Sequence, residues 1–144
     1  MKTILLIHGP NLNLLGVRDA HLYGTKTLRD IEALVRETAE TLRYEVLAFQ
    51  SNHEGAIVDF LQKESPKADG IIINPGALTH YSYTLYDALR DTKLPAVEVH
   101  LSDINSREAW RRVSITAPAC IAQISGKKEA GYVEALELLH KNLR

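Results

Sequence analysis

Apolar residues fall along this chain in two alternating rhythms. Runs with little polar interruption recur at Thr3–His8, Tyr44–Gln50, Gly70–Asn74, Ala96–Val99 and Ala119–Ile124, and short runs of this kind read as buried strands. Helical patterns lie between the first four. Leu28, Ile31, Leu34, Val35 and Leu42 recur at helical spacing, and Thr27 with Asp30 supplies an N-cap and an acidic first turn. A second helix fits Glu54–Glu64, stopped by Ser65-Pro66, and a third fits Tyr83–Asp91, ahead of Pro95. The last, Tyr132–Leu143, sets Val133, Leu136, Leu139 and Leu143 on one face.

Strands that alternate with helices imply right-handed crossovers, and these build a parallel sheet covered by helices on both faces. The expected architecture is α/β, a flavodoxin-like three-layer fold with a five-stranded parallel sheet. No repeat or linker divides the chain, so residues 1–144 read as a single catalytic domain. One connection is out of proportion. Gly9–Gly24 joins the first strand to a helix where about two to six residues are usual. It is rich in Leu and carries Asn11, Asn13, Arg18 and Tyr23, which suits a binding loop or lid better than a solvated tail.

In doubly wound sheets ligands bind outside the carboxyl ends of the strands. Here those ends are His8-Gly9-Pro10-Asn11, Ser51-Asn52-His53-Glu54-Gly55, Asn74-Pro75-Gly76-Ala77-Leu78-Thr79-His80 and Glu98-Val99-His100-Leu101-Ser102. Four histidines, several amides and two carboxylates would share one rim. Each also has a plainer reading: Asn11 and Asn74 as turn residues, His53-Glu54 as a helix start. Alternation puts Glu98 and His100 on one side of a strand, either as a structural polar pair or with the carboxylate fixing the imidazole tautomer for proton transfer. Arg18 beside Tyr23 would favour the phenolate, making Tyr23 a general base if the loop brings them together; packing is the alternative. Arg107 and Arg111 suit either an anionic substrate or a solvated face.

Composition narrows the field. Hydrophobic content of 45%, charged content of 24% and a net charge of −1 describe an ordinary globular chain with no electrostatic call for nucleic acid or membrane. A single cysteine, Cys120, excludes an intrachain disulfide and fits a reducing, cytoplasmic setting. Ile4-Leu5-Leu6-Ile7 is too short for a signal segment or a membrane span. Gly-x-Gly-x-x-Gly, P-loop, His-Glu-x-x-His and Gly-x-Ser-x-Gly signatures are all missing, so nucleotide, zinc and serine-hydrolase chemistries find no motif.

Taken together, the motifs resemble those of the type II 3-dehydroquinate dehydratase family. They are Gly9-Pro10-Asn11-Leu12-Asn13-Leu14-Leu15-Gly16, Tyr23-Gly24, Gln50-Ser51-Asn52-His53-Glu54-Gly55, Ile73-Asn74-Pro75-Gly76-Ala77, Thr79-His80, Glu98-Val99-His100-Leu101-Ser102, and Arg107-Glu108 with Arg111. The resemblance implies a lyase of the shikimate pathway or of quinate catabolism that dehydrates 3-dehydroquinate to 3-dehydroshikimate by anti elimination through an enolate, with no cofactor and no metal. It implies Tyr23, activated by Arg18, as the base. Asn11 would hold a water at the enolate oxygen, and His100, oriented by Glu98, would protonate the departing hydroxyl. Asn74, His80 and Arg111 would bind substrate hydroxyls, while the Leu101 and Ser102 amides would take the carboxylate. Asp87 would reach a neighbouring subunit's site in a homo-oligomer, a dodecamer of trimers. His8 stands where the family often has Asn. Two other classes remain for comparison: a catalytically silent flavodoxin-like binding module and a His-rich metallohydrolase.

Overall fold

Five strands lie in one parallel sheet: β1 (Lys2–His8), β2 (Tyr44–Gln50), β3 (Gly70–Asn74), β4 (Ala96–His100) and β5 (Ala122–Ser125), in the order β2-β1-β3-β4-β5. The structure is a computed structural model that describes residues 1–144. Helices α2 (Leu28–Thr41) and α5 (Ala130–Leu143) cover one face, and α3 (Glu54–Glu64) and α4 (Tyr83–Thr92) cover the other. The expected three-layer α/β fold is therefore observed. A four-residue helical turn, α1 (Ala20–Tyr23), sits within the long first connection.

The period of two along the strands sorts the core into halves. Ile4 and Leu6 of β1 face Ile31, Val35, Leu136 and Leu139, whereas Leu5 and Ile7 face Ile57, Leu61, Leu85 and Leu89. Burying one such side chain is worth about 1.5–3 kcal/mol, against a few tenths from local propensity, so packing decides where the elements sit. Thr27 starts α2 with a capping box, accepting from the Asp30 N–H at 3.1 Å while Asp30 accepts from the Thr27 N–H at 3.0 Å.

The fifth strand begins later than the apolar run suggests, at Ala122 rather than Ala119. Pro118 has no N–H to give a ladder, and Ala117–Ala119 instead forms a tight turn closed by Cys120 N–H to the Ala117 carbonyl at 2.9 Å. The β4-to-β5 connection likewise forms short 3₁₀ turns, Ile104–Ser106, Ala109–Arg112 and Ala117–Ala119, with no full helix.

The long first connection is anchored at its near end. Leu12 and Leu15 are buried in the α2–α5 half of the core, which accounts for the Leu-rich sequence. Where β1 and β3 end, two glycines let the chains touch. A Cβ on Gly9 would lie 2.2 Å from the Pro75 carbonyl oxygen, and Gly76 holds φ +60° with room for no side chain beside the Pro10 carbonyl. The sheet order reverses between β1 and β3, and the polar strand ends meet there.

The rim is less crowded with histidines than the sequence suggests. His8 points down among the helices, fully buried, with Nε2 3.3 Å from Glu32 Oε1 but without hydrogen-bond alignment. His53 is the exposed residue preceding α3, and Glu54 accepts from the Ser82 hydroxyl that caps α4. Their roles are local because the β2 end lies one strand away from the cleft.

Candidate active site

A cleft of about 100 Å³ opens at the carboxyl ends of β1, β3 and β4, lined among others by Asn11, Arg18, Tyr23, Asn74, His80 and His100. Leu101, Ser102, Arg107 and Arg111 complete its polar wall. A wider groove of about 670 Å³ between α2 and α5 is lined by Leu34, Val133, Leu138, acids and Lys141. It carries no histidine, tyrosine or arginine, whereas the smaller cleft gathers all three.

Glu98 and His100 share one side of β4, as strand alternation requires. His100 Nε2 donates to Glu98 Oε2 at 2.9 Å, which leaves Nδ1 uncommitted. The carboxylate is fully buried and accepts from Ser114 Oγ at 2.8 Å, from Gln123 Nε2 at 2.7 Å and from the Thr116 hydroxyl. Burial pushes the Glu98 carboxyl up, but the bond and charge of His100, with Thr116 and Gln123, outweigh it and hold the pKa at about 2. An ionised Glu98 is thus built into the fold.

That depression makes a stability prediction. A carboxyl whose folded pKa lies below its unfolded value stabilises fully above about pH 4.5 and loses this as pH falls toward about 2. An acid titration of unfolding, followed by circular dichroism, should show stability falling by up to roughly 3 kcal/mol across that window. The Glu98→Gln variant should lose much of that slope; an unchanged slope would remove Glu98 as its source.

The second polar centre surrounds Tyr23. The Arg18 guanidinium carbon lies 3.9 Å above the ring centroid, stacked on its face. It is Arg107 that reaches the oxygen: Nη1 donates to Tyr23 Oη at 3.0 Å and to Ser102 Oγ at 3.1 Å. The sequence reading gave the phenol to Arg18 alone; the short reach between residues 18 and 23 favours ring stacking, and the hydroxyl turns to a guanidinium 84 residues away. Two guanidinium groups then attend one phenol, one over its face and one at its oxygen.

The remaining groups ring the cleft. His80 donates Nδ1–H to the Val113 carbonyl at 2.7 Å, and burial pushes its pKa down, so the neutral ring offers Nε2 as an acceptor. Asn74 is largely committed to the fold: Nδ2 donates to Tyr132 Oη at 3.1 Å and Oδ1 accepts from the Gly76 N–H at 3.0 Å. Tyr132 is fully buried, and burial pushes its phenol up, keeping it neutral. Arg111 is held by Glu108 at 2.8 Å and lies 4.1 Å from the ring centroid of Trp110, the chain's single tryptophan, whose edge meets His80. The Leu101 and Ser102 carbonyls accept from Lys128 and Gly126, while their own N–H groups donate to no loop or side-chain acceptor. Asp87 stands exposed on α4, outside the cleft of its own chain.

Sequence reasoning assigned no role to Ser114, Thr116 or Gln123, and left Arg107 between two readings. The only sequence signal for the first three was polarity, Ser114 and Thr116 ahead of an apolar run and Gln123 within it. For Arg107 it was the Arg107-Glu108 motif with Arg111.

The family described as Dehydroquinase class II matches residues 2–140 of this chain. A 3-dehydroquinate dehydratase of Clostridium perfringens (strain SM101 / Type A) is 50% identical over 142 residues, covering 98% of this chain and 97% of that protein. One from Bacillus cereus (strain G9842) is 49% identical over 144 residues, covering 100% and 99%. The crystal structure of type II dehydroquinase from Butyrivibrio crossotus DSM 2876 superposes with a TM-score of 0.93 at 44% identity, covering 96% of this chain and 97% of that one.

Proposed function

The chain belongs to the class II dehydroquinase family and is a lyase that dehydrates 3-dehydroquinate, and we propose that it does so by stepwise anti elimination through an enolate, giving 3-dehydroshikimate. The observation that best supports this route is the pairing of opposite proton-transfer groups on one cleft: a tyrosine oxygen attended by cations and an imidazole backed by a buried carboxylate.

In this reading Tyr23, as phenolate, takes a proton from the carbon next to the substrate ketone. Arg18 and Arg107 stabilise the phenolate before transfer, Arg18 across the ring face and Arg107 at the oxygen. The electron pair left on carbon moves into the carbonyl and forms the enolate. Asn11, whose carboxamide makes no hydrogen bond within the protein, holds a water against that oxygen. As the enolate collapses, the carbon–oxygen bond to the hydroxyl breaks and the proton on His100 Nδ1 goes to the leaving oxygen, completing water. The ionised Glu98 balances the charge of the doubly protonated ring. Leu101 and Ser102 give their backbone N–H groups to the substrate carboxylate. His80, Arg111 and the edge of Asn74 fix the ring hydroxyls.

The enone product absorbs in the ultraviolet where the substrate does not, so appearance of that band on mixing 3-dehydroquinate with the protein tests the reading directly. The expected result is turnover that survives exhaustive chelation. Folded protein giving no band would overturn the reading, and activity lost with chelator would favour histidine–metal chemistry.

The assembly proposed is a dodecamer of trimers in the cytoplasm. Exposed Tyr81, Tyr83, Trp110 and Val113, together with an Asp87 directed away from its own cleft, suit a subunit contact beside the site. No helix is long and apolar enough to cross a membrane.

A further inference from the structure

We infer that Asn52 is a positioning residue for the reaction, acting through Asn11 from the neighbouring strand end. Asn11 holds a left-handed backbone, φ 70° and ψ −3°, at the start of the 3₁₀ turn Leu12–Leu14. Only glycine takes this conformation freely; asparagine tolerates it at a cost that surrounding contacts must offset. Its side chain makes no cap bond, so nothing local holds the carboxamide on its bearing. The left-handed backbone sets the bearing from which that amide enters the cleft.

The contact that holds this angle comes from β2. Asn52 Oδ1 accepts from the Asn11 N–H at 2.9 Å. The same oxygen accepts from Gln50 Nε2 at 3.2 Å, and Gln50 also donates to the Gly9 carbonyl at 3.3 Å. Asn52 is itself fixed, because Ser51 N–H donates to the His8 carbonyl at 3.1 Å and Ser51 Oγ accepts from His53 N–H at 2.9 Å. The end of β2 thus clamps both sides of Pro10. Neither Asn52 nor Gln50 lines the cleft, and Asn52 meets the lining at Asn11, so its effect on the reaction passes through that residue.

Asn52 serves only as an acceptor, since its Nδ2 donates to nothing in the protein. An aspartate keeps that oxygen and an alanine removes it. This inference rests on the proposed role of Asn11 at the enolate oxygen, and the experiment separates the two. With purified full-length variants, kcat and KM are measured for Asn52→Ala, Asn52→Asp, Asn11→Ala and the double variant Asn11→Ala/Asn52→Ala, with thermal unfolding of each. Asn52→Ala should lower kcat about tenfold with KM within about twofold, since small misplacement of a reacting group is felt mainly in the chemical step. Asn52→Asp should recover most of that loss. In the Asn11→Ala background the further loss from Asn52→Ala should shrink to nearly nothing, as coupled residues require. If Asn11→Ala turns over like the unaltered protein, the role of Asn11 falls. If Asn11→Ala is slow but the two losses multiply in full, or aspartate is as poor as alanine, Asn52 is not positioning Asn11 and the inference is overturned.

Discussion

Tyr23→Phe should lower kcat by about 10³–10⁴ while leaving substrate affinity within a few-fold. The estimate lies at the upper end for loss of an acid–base group, about 10²–10⁴, because phenylalanine leaves no oxygen where Tyr23 meets Arg107. Phenylalanine keeps the ring on which Arg18 stacks, so the loop can still close over the cleft. Only the oxygen bound to Arg107 is removed. Binding can be followed through Trp110, the single tryptophan, whose ring lies 5.2 Å from that of His80 and 4.1 Å from the Arg111 guanidinium carbon. A titration that still changes Trp110 fluorescence, alongside a collapsed product signal, fits a missing base. Activity within a few-fold of the unaltered protein would remove Tyr23 from that role.

The variant also bears on which arginine matters at the oxygen. Arg18 and Tyr23 are close in sequence, which made them look like a pair; yet Arg18, just ahead of the turn Ala20–Tyr23, lies over the ring face rather than at its edge. Arg107 reaches the hydroxyl because Ser102 and the turn Ile104–Ser106 fold it back over the end of β4. Such a contact spans the sheet and leaves no periodic trace along the chain.

The same distinction separates what the sequence disclosed from what it did not. Strands β1 to β4 and every helix that packs on the sheet were legible because each buries a continuous or one-sided apolar pattern, and burial is written into residue order. The start of β5 was misplaced because Ala119, where the apolar run Ala119–Ile124 opens, belongs to the tight turn Ala117–Ala119, whose proline cannot join the ladder. At the site, Glu98 with His100 could be read from alternation along one strand. The donors that keep Glu98 ionised could not, since Ser114 and Thr116 arrive from the irregular β4-to-β5 connection and Gln123 from the neighbouring strand β5. His8 and His53 were overcounted at the rim for a related reason: ending a strand near the cleft does not decide which face a side chain takes, and period two sends His8 into the core with Ile4 and Leu6.

His100→Ala should separate the two halves of the reaction. Removing the imidazole takes away the proposed proton donor for the leaving hydroxyl, and kcat for dehydration should fall by about 10²–10⁴. Glu98 keeps Ser114, Thr116 and Gln123 as donors after the change, so the carboxylate is not left without partners and the fold should persist with a modest loss of stability. The proposed base is untouched: Tyr23 retains Arg18 and Arg107, which lie on other elements. Proton abstraction should therefore continue where departure of water is blocked. In deuterium oxide, 3-dehydroquinate recovered from this variant should carry deuterium at the carbon next to the ketone faster than product forms, whereas Tyr23→Phe should neither exchange nor dehydrate. Loss of thermal stability with unchanged turnover per folded molecule would reduce the Glu98–His100 pair to a structural one. Loss of exchange and dehydration together would instead place His100 at the first proton transfer, and the stepwise order of base before acid would have to be abandoned.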